Sequence, residues 1–183
     1  MDRKPLRIFA LLACLSLGIF ALCGSPHKQA NPPKKTSTMK EIYLAGGCFW
    51  GTEHFFKHVR GVVSTQVGYA NGHTESQTYQ DVCSHTTGFA EAVRITYAPE
   101  QIDLSLLLSL YFRTINPTSL NKQGGDIGDQ YRTGIYYIDS ADRPIIEAAL
   151  RELQTKYSAP IVVECEPLKN FFDAEEYHQD YLD

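Results

Sequence analysis

The order of apolar patterns from residue 41 onward is the feature that most restricts the fold. Short segments with continuous or alternating apolar residues, typical of strands, are separated by longer segments with helical spacing. The pattern predicts strand, helix, strand, then strand, helix, strand, and finally one helix and one strand. The predicted strands lie at 41–47, 63–69, 90–97, 134–138 and 161–166, and the predicted helices at 52–59, 104–115 and 144–157.

This order predicts an α+β fold. Two strand–helix–strand units in succession favour a two-layer sandwich of ferredoxin-like split βαβ units with a mainly antiparallel sheet. With 183 residues, of which 43% are hydrophobic and 21% charged, the chain suits one globular domain. The net charge of -4 gives no indication of nucleic-acid binding, and we expect a monomer.

The N-terminal segment has the layout of an export signal. Three basic residues precede an apolar run from Ile8 to Cys23, which small residues follow. We predict a signal peptide or lipoprotein signal at 1–24, with Cys23 as the lipidation candidate, a polar linker at 25–40 and a catalytic domain at 41–183. The protein would then reach the periplasm or cell envelope, and a cytoplasmic form could start at Met39.

Cys48 occupies the most informative position for chemistry. It lies between a glycine pair and the neighbours Phe49 and Trp50, where a predicted strand turns into a predicted helix. A helix N-terminus favours negative charge, so we expect a lowered thiol pKa and a nucleophilic thiolate. The alternative is a buried cysteine in a packed turn.

Four further residues could belong to the same site. Glu91 begins a predicted strand, and an apolar pocket would raise its carboxyl pKa and allow it to donate a proton. Tyr79 and Tyr131 lie in two long polar segments, at 70–88 and 116–132, and Asp126 lies in the second. The alternatives are a solvent-facing glutamate, packing tyrosines and an aspartate that forms a turn.

Other chemistries have weaker signals. The side chains of His54 and His58 could share a metal ion, but their spacing departs from the zincin pattern, and we expect no metal. A Cys–His hydrolase would need a base for Cys48, and no spacing selects among His73, His85 and His178. Neither a P-loop nor a dinucleotide fingerprint is present, so we expect no cofactor.

Seven ordered segments together resemble the methionine sulfoxide reductase A family, and they cover nearly all of 41–183. They are GGCFWG at 46–51, VGYANG at 67–72, TYQDVC at 78–83, TGFAEAV at 87–93, NPTS at 116–119, QGGDIGDQYR at 123–132 and AEEYHQ at 174–179.

The resemblance implies a peptide-methionine (S)-S-oxide reductase that repairs oxidised proteins. Cys48 would attack the sulfur of the S epimer of methionine sulfoxide, peptide-bound or free, and become a sulfenic acid. Glu91 would protonate the departing oxygen. The implied substrate-binding residues are Phe49, Trp50, Tyr79, Asp126 and Tyr131. A non-catalytic module that binds Met side chains through the aromatic pair is the rival hypothesis.

The resemblance leaves the regeneration of Cys48 open. Many family members carry a resolving cysteine in a later tail, whereas this sequence ends at Asp183, so it is either a one-cysteine type or shortened. Cys83 and Cys165 could resolve the sulfenic acid only if they approach Cys48 closely. The alternative is direct reduction by thioredoxin, a similar protein or a small thiol. Phe89 replaces a histidine of many relatives, which we expect to adjust the pocket.

Overall fold

The computed structural model describes residues 38–75 and 78–183. The predicted export signal, Cys23 and most of the predicted linker therefore lie outside the described residues. Within the described ranges, no helix is long and apolar enough to cross a membrane. The strands are β1 Lys40–Gly46, β2 Val62–Ala70, β3 Ala90–Tyr97, β4 Lys122–Gln123, β5 Asp126–Ile127, β6 Thr133–Tyr137, β7 Glu164–Pro167 and β8 Phe171–Asp173; the α-helices are α1 Phe49–Lys57, α2 Tyr79–Cys83, α3 Leu104–Tyr111 and α4 Arg143–Gln154.

Six of the strands form one mostly antiparallel sheet in the order β7-β6-β1-β3-β2-β8. Only β6 and β7 pair in parallel. β1 lies between β3 and β6, and β3 lies between β1 and β2, all antiparallel. The predicted α+β class with a mainly antiparallel sheet is confirmed. β4 and β5 form a separate two-stranded hairpin.

Both faces of the sheet centre are buried, which explains the continuous apolar run of β1. Successive strand residues point to opposite faces. Accordingly Ile42 and Leu44 belong to the main core, with Phe56 of α1 and Leu107 of α3. Tyr43 and Ala45 belong to a smaller cluster on the other face of the sheet. Leu168 and Phe171 pack against this cluster.

The helix boundaries agree with the sequence in part. The sequence predicts Asp103 as the cap of α3, and its carboxylate accepts a hydrogen bond of 2.8 Å from the Leu106 backbone N–H. The predicted end at 115 is wrong, because α3 ends at Tyr111. The sequence also predicts Ser140 as the cap of α4, and this prediction is wrong. Ser140 begins a short 3-10 helix that Asp139 caps, and this helix leads into α4.

The two segments predicted as long polar loops contain secondary structure. In the first, α2 begins after a reciprocal capping pair formed by Thr78 and Asp81. In the second, β4, β5 and the 3-10 helix Asp129–Tyr131 follow one another. The segment after 170, predicted as a tail, contains β8 and a further 3-10 helix. Apolar periodicity missed these elements because most are only two to five residues long.

Helix α1 offers a direct test of burial. The sequence predicts that Phe55 and Phe56 both face the core, but Phe56 is fully buried and Phe55 is 37% exposed. Phe56→Ala should lower the free energy of unfolding by about 3–5 kcal/mol, because it leaves a cavity. The matched variant Phe55→Ala should lower the free energy of unfolding by less than about 1.5 kcal/mol. Chemical denaturation measures both, and equal losses would contradict the placement of this helix.

Candidate active site

Cys48 lies where β1 passes into α1. The chain turns at Gly47, whose φ of +81° suits glycine, and a Cβ there would come within 2.5 Å of the Gln123 Cβ. Cys48 is the N-cap residue, and α1 begins at Phe49. Gly47 therefore allows the hairpin of the second long segment to pack directly against the turn that carries the thiol. The predicted strand-to-helix turn around Cys48 is observed, although α1 begins three residues earlier than expected.

The electrostatic environment of Cys48 differs from the expectation. Burial raises the pKa of the Cys48 thiol, although the backbone N–H groups of Trp50 and Gly51 favour the thiolate. Carboxylates at Glu91 and Asp126 raise the pKa further. The prediction of a lowered thiol pKa in the free protein is therefore wrong. The helix N-terminus is present, but desolvation and neighbouring negative charge outweigh it.

Glu91 lies deep in the protein, on β3 opposite Tyr69 of β2. It is only 1% exposed, so the solvent-facing alternative is wrong. The Phe49 backbone N–H donates a hydrogen bond of 3.1 Å to its Oε2 atom. Burial raises the pKa of Glu91 to about 8, with an added contribution from Asp126. At neutral pH this carboxyl group is mostly protonated. The first backbone N–H groups of α1 thus interact with both residues. That of Phe49 donates to Glu91, and those of Trp50 and Gly51 favour the Cys48 thiolate.

Both long segments contribute side chains to this region. The hydroxyl groups of Tyr79 and Tyr131 influence each other's pKa, and the charge of Glu91 acts on both. Burial raises the pKa of Tyr131 to about 12 and that of Tyr79 further, so both hydroxyls remain protonated donors. Asp126 is exposed on β5, and its charge acts on Cys48, Glu91 and Tyr131. The structure therefore brings all of these predicted residues together.

The aromatic pair forms an apolar wall beside the thiol. Phe49 is 2% exposed, and its ring centroid lies 6.4 Å from that of Trp50. Trp50 is half-buried, and Tyr181 stacks on its indole with centroids 3.7 Å apart and planes 10° from parallel. The tyrosine comes from the C-terminal segment, where Lys57 of α1 forms ion pairs with the acidic side chains at 180 and 183.

Two residues that hydrogen-bond to residues of this site, His178 and Glu175, were not predicted to do so from the sequence. His178 accepts a hydrogen bond of 3.2 Å at Nδ1 from the Trp50 indole N–H. Glu175 accepts hydrogen bonds of 2.8 Å from the Tyr79 backbone N–H and from the Tyr69 hydroxyl. Both residues lie roughly 100 positions or more from their partners, so local spacing carried no signal for these contacts. The sequence offered one indication of such a contact. The Trp50 indole N–H can only donate a hydrogen bond, so it needs an acceptor when it is buried.

The two other candidate bases, His73 and His85, have partners away from Cys48. His73 bonds to the Thr86 carbonyl, and His85 pairs with Asp129. None of the hydrogen bonds found for these rings or for His178 in the described ranges reaches Cys48, so a Cys–His pair has no support. Over the same part of the chain, no group of three or more His, Cys, Asp or Glu residues could hold a metal ion.

The two candidate resolving cysteines lie in different surroundings. Cys48, Cys83 and Cys165 are all free thiols. Cys83 ends α2, and its thiol raises the pKa of the Tyr79 hydroxyl. Cys165 lies on β7 opposite Ile135, and charges of α4 act on it. Cys83 therefore shares a neighbour with the site, whereas Cys165 lies next to α4. That either of them resolves a sulfenic acid stays a prediction.

Comparison with known proteins agrees with this geometry. The family model described as peptide methionine sulfoxide reductase matches residues 40–183. A peptide methionine sulfoxide reductase MsrA from Lachnoclostridium phytofermentans is 58% identical over 144 residues, which are 79% of this chain and 87% of the relative.

Solved structures of a yeast protein show the same fold. Mxr1 from Saccharomyces cerevisiae in reduced form has a TM-score of 0.76 and 43% identity, over 81% of this chain and 86% of that one. Mxr1 in complex with Trx2 has a TM-score of 0.57 and 34% identity, over 84% and 91%. These likenesses favour an enzyme over a non-catalytic binding module. The chain therefore belongs to the methionine sulfoxide reductase A family, and it is an oxidoreductase that reduces methionine sulfoxide in peptides.

Proposed function

We propose that Cys48 performs the reduction by direct attack on the S epimer of methionine sulfoxide. The observation that carries this proposal is the position of Cys48 and Glu91 at one helix N-terminus, where successive backbone N–H groups of α1 serve the sulfur and the carboxyl group. A sulfoxide sulfur is attacked readily only when its oxygen is protonated or strongly hydrogen-bonded. Here the Cys48 sulfur is the nucleophile, and the neutral, buried Glu91 is the acid that protonates the oxygen.

The atoms and protons balance as follows. The Cys48 sulfur bonds to the sulfoxide sulfur while Glu91 gives its proton to the departing oxygen. The oxygen then passes to the Cys48 sulfur. A sulfur–oxygen bond forms on Cys48, while the sulfur–oxygen bond of the substrate and the transient bond between the two sulfurs break, so Cys48 becomes a sulfenic acid. The substrate is reduced to the thioether, and Cys48 is oxidised by two electrons. The proton that leaves the thiol restores the acid form of Glu91.

The raised thiol pKa is compatible with this order of events. Ionised Glu91 opposes the Cys48 thiolate. With Glu91 neutral, that opposition disappears, and the N–H groups of Trp50 and Gly51 act on the sulfur alone. The substrate oxygen also replaces solvent near the acid. The thiolate would thus form in the presence of substrate.

Substrate binding would divide between an apolar and a polar side. Phe49 and Trp50 would hold the terminal methyl group against their rings, while the hydroxyls of Tyr79 and Tyr131 would hydrogen-bond to the oxygen. Asp126, exposed on the hairpin, would bind the polar backbone of a peptide or of free methionine.

We propose that thioredoxin or a comparable thiol returns Cys48 to its reduced state. Support comes from the similar yeast protein, whose structure was solved in complex with Trx2. An attack by Cys83 or Cys165 would first give a disulfide within the chain. Direct attack by the external thiol would instead give a mixed disulfide with Cys48.

Two further proposals concern organisation and location. We infer that the four central strands follow the ferredoxin-like split βαβ plan, supported by β3 pairing between β1 and β2 and by β1 pairing between β3 and β6. We also propose export, possible lipid attachment at Cys23 and a catalytic domain that begins near residue 41. The basic and apolar pattern of 1–24 supports export.

Mass spectrometry after a single turnover tests the mechanism. The reduced protein receives one equivalent of peptide methionine S-sulfoxide without added thiol, and cysteine-containing peptides are then analysed. We expect a sulfenic acid on Cys48, or a disulfide that joins Cys48 to Cys83 or Cys165. Methionine formed without any oxidation of Cys48 would contradict the proposal. The N-terminal peptide of the protein purified from cells would locate any signal cleavage and any lipid at Cys23.

A further inference from the structure

His178 is buried against the methyl-binding wall, and the proposed reaction does not use it. Its side chain is 2% exposed in the folded protein. Its Nδ1 atom lies 3.2 Å from the Trp50 indole nitrogen. Its ring centroid is 5.6 Å from that of Trp50, 5.2 Å from Phe49 and 4.6 Å from Tyr79. One imidazole thus contacts three of the residues that the proposed function assigns to substrate.

The hydrogen bond fixes the tautomer of His178. An indole N–H can only donate, so Nδ1 must accept with its lone pair and carries no hydrogen. The ring hydrogen of neutral His178 therefore lies on Nε2. That atom is buried and has no hydrogen-bond partner in the described part of the protein. A buried donor without a partner costs stability, which a phenyl ring in the same place would not. Packing alone therefore does not explain a histidine here.

We propose that His178 is a positioning residue, which holds the Trp50 indole through Nδ1 in the orientation that binds the substrate methyl group. The inference rests on the proposed role of Trp50 in substrate binding. Trp50 is only half-buried, and Tyr181 stacks on the face of its indole. Stacking fixes the plane of the ring, whereas the hydrogen bond to His178 fixes the direction in which the indole N–H points. The Gln179 side chain, next in sequence, makes two 3.0 Å hydrogen bonds to the Val67 backbone and anchors His178 to β2.

Protonation of His178 would remove this interaction. The imidazolium carries hydrogens on both nitrogens, so Nδ1 would face the indole N–H as a second donor. Burial lowers the pKa of His178 below its ordinary value of 6.5, and the Glu175 carboxylate opposes that change. The other titratable groups that face the ring are the protonated hydroxyls of Tyr79 and Tyr177. Trp50 is therefore held at neutral pH and released on the acid side of 6.5.

Two variants separate positioning from packing. His178→Phe keeps an aromatic ring but removes the acceptor, whereas His178→Asn places an amide oxygen near the position of Nδ1. We expect His178→Phe to raise KM about five- to tenfold, as for the loss of one hydrogen bond, with a smaller change in kcat. His178→Asn should recover most of that loss. His178→Phe should unfold at the same denaturant concentration as the parent, or a higher one.

A fluorescence titration reads the same contact without substrate. Trp50 is the only tryptophan of the chain, so selective excitation of the indole reports on it alone. We expect a fluorescence transition on the acid side of pH 6.5 that is absent from His178→Phe and His178→Asn. The same transition in either variant would overturn the inference, and so would an unchanged KM in His178→Phe.

Trp50→Phe distinguishes a failure of this inference from a failure of the proposed pocket. If Trp50→Phe raises KM but His178→Phe does not, only the role of His178 is overturned. If Trp50→Phe leaves KM unchanged, the methyl pocket is wrong, and the inference that rests on it fails as well. In the double variant, the two increases in KM should not multiply, because both changes remove the same interaction.

Discussion

Cys48→Ser is expected to abolish the reduction of peptide methionine S-sulfoxide. A hydroxyl at this position ionises far less readily than a thiol and cannot accept the oxygen as a sulfenic acid. Loss of the nucleophile should lower kcat by a factor on the order of 10⁴ or more. Chromatography of the methionine product, with a small dithiol as the reductant, measures the loss.

Cys165→Ser is the matched control for this substitution. Its thiol is half-buried like that of Cys48 but lies on β7, next to α4. With a small dithiol present, Cys165→Ser should retain most of the activity. A Cys48→Ser protein that still turned over substrate would contradict the role of Cys48. Loss of activity in Cys165→Ser, with the fold intact, would instead indicate that the second thiol takes part in the cycle.

Glu91→Gln is expected to have the second largest effect, because it removes the acid. General acid catalysis typically contributes a factor of about 10²–10⁴, and the reductase step should slow within that range. The loss should be milder at low pH, where solvent supplies protons. Rapid-quench measurement of the first turnover isolates this step from the regeneration of Cys48.

The pH profile provides a more specific test of Glu91. The acid acts in its protonated form, so the parent rate should decline as pH rises through about 8. The amide of Glu91→Gln does not titrate, and the decline near pH 8 should disappear with it. Glu41→Gln, at the far end of β1, should keep the parent profile. A Glu91→Gln rate equal to that of the parent at every pH would remove Glu91 from the acid role.

Stability measurements would show whether unfolding causes the loss of activity in Glu91→Gln. The pKa of Glu91 rises from 4.5 to about 8 on folding, so the folded state holds this proton more tightly. The protein therefore loses stability as pH rises between these values. Glu91→Gln lacks the titrating group and should lose less stability over that interval. A less active variant that remains at least as stable at pH 8 would separate catalysis from folding.

The sequence located the reactive turn because its signals are local. Gly47, Cys48 and the aromatic pair are neighbours in the chain, and the change from strand to helix within a few residues already implied a helix N-terminus beside the thiol. Apolar periodicity likewise predicted the central strands and the α+β class, because the longer strands repeat their pattern over seven to nine residues. The substrate-binding roles of Tyr79, Tyr131 and Asp126 came from the family resemblance, since none of these residues has a distinctive pattern of its own.

Only the tertiary structure decided how these residues behave. The direction of the Cys48 pKa depends on burial and on the charges of Glu91 and Asp126, which lie 43 and 78 positions away. The contact of His178 with Trp50 spans 128 positions. Apolar periodicity and local hydrogen bonds depend on residues that are a few positions apart in the chain. Desolvation and charge depend on all groups that are close in space, however distant they are in the sequence. The sequence by itself therefore determined which groups are present and which elements carry them, and their ionisation and orientation followed only from the packing of distant segments.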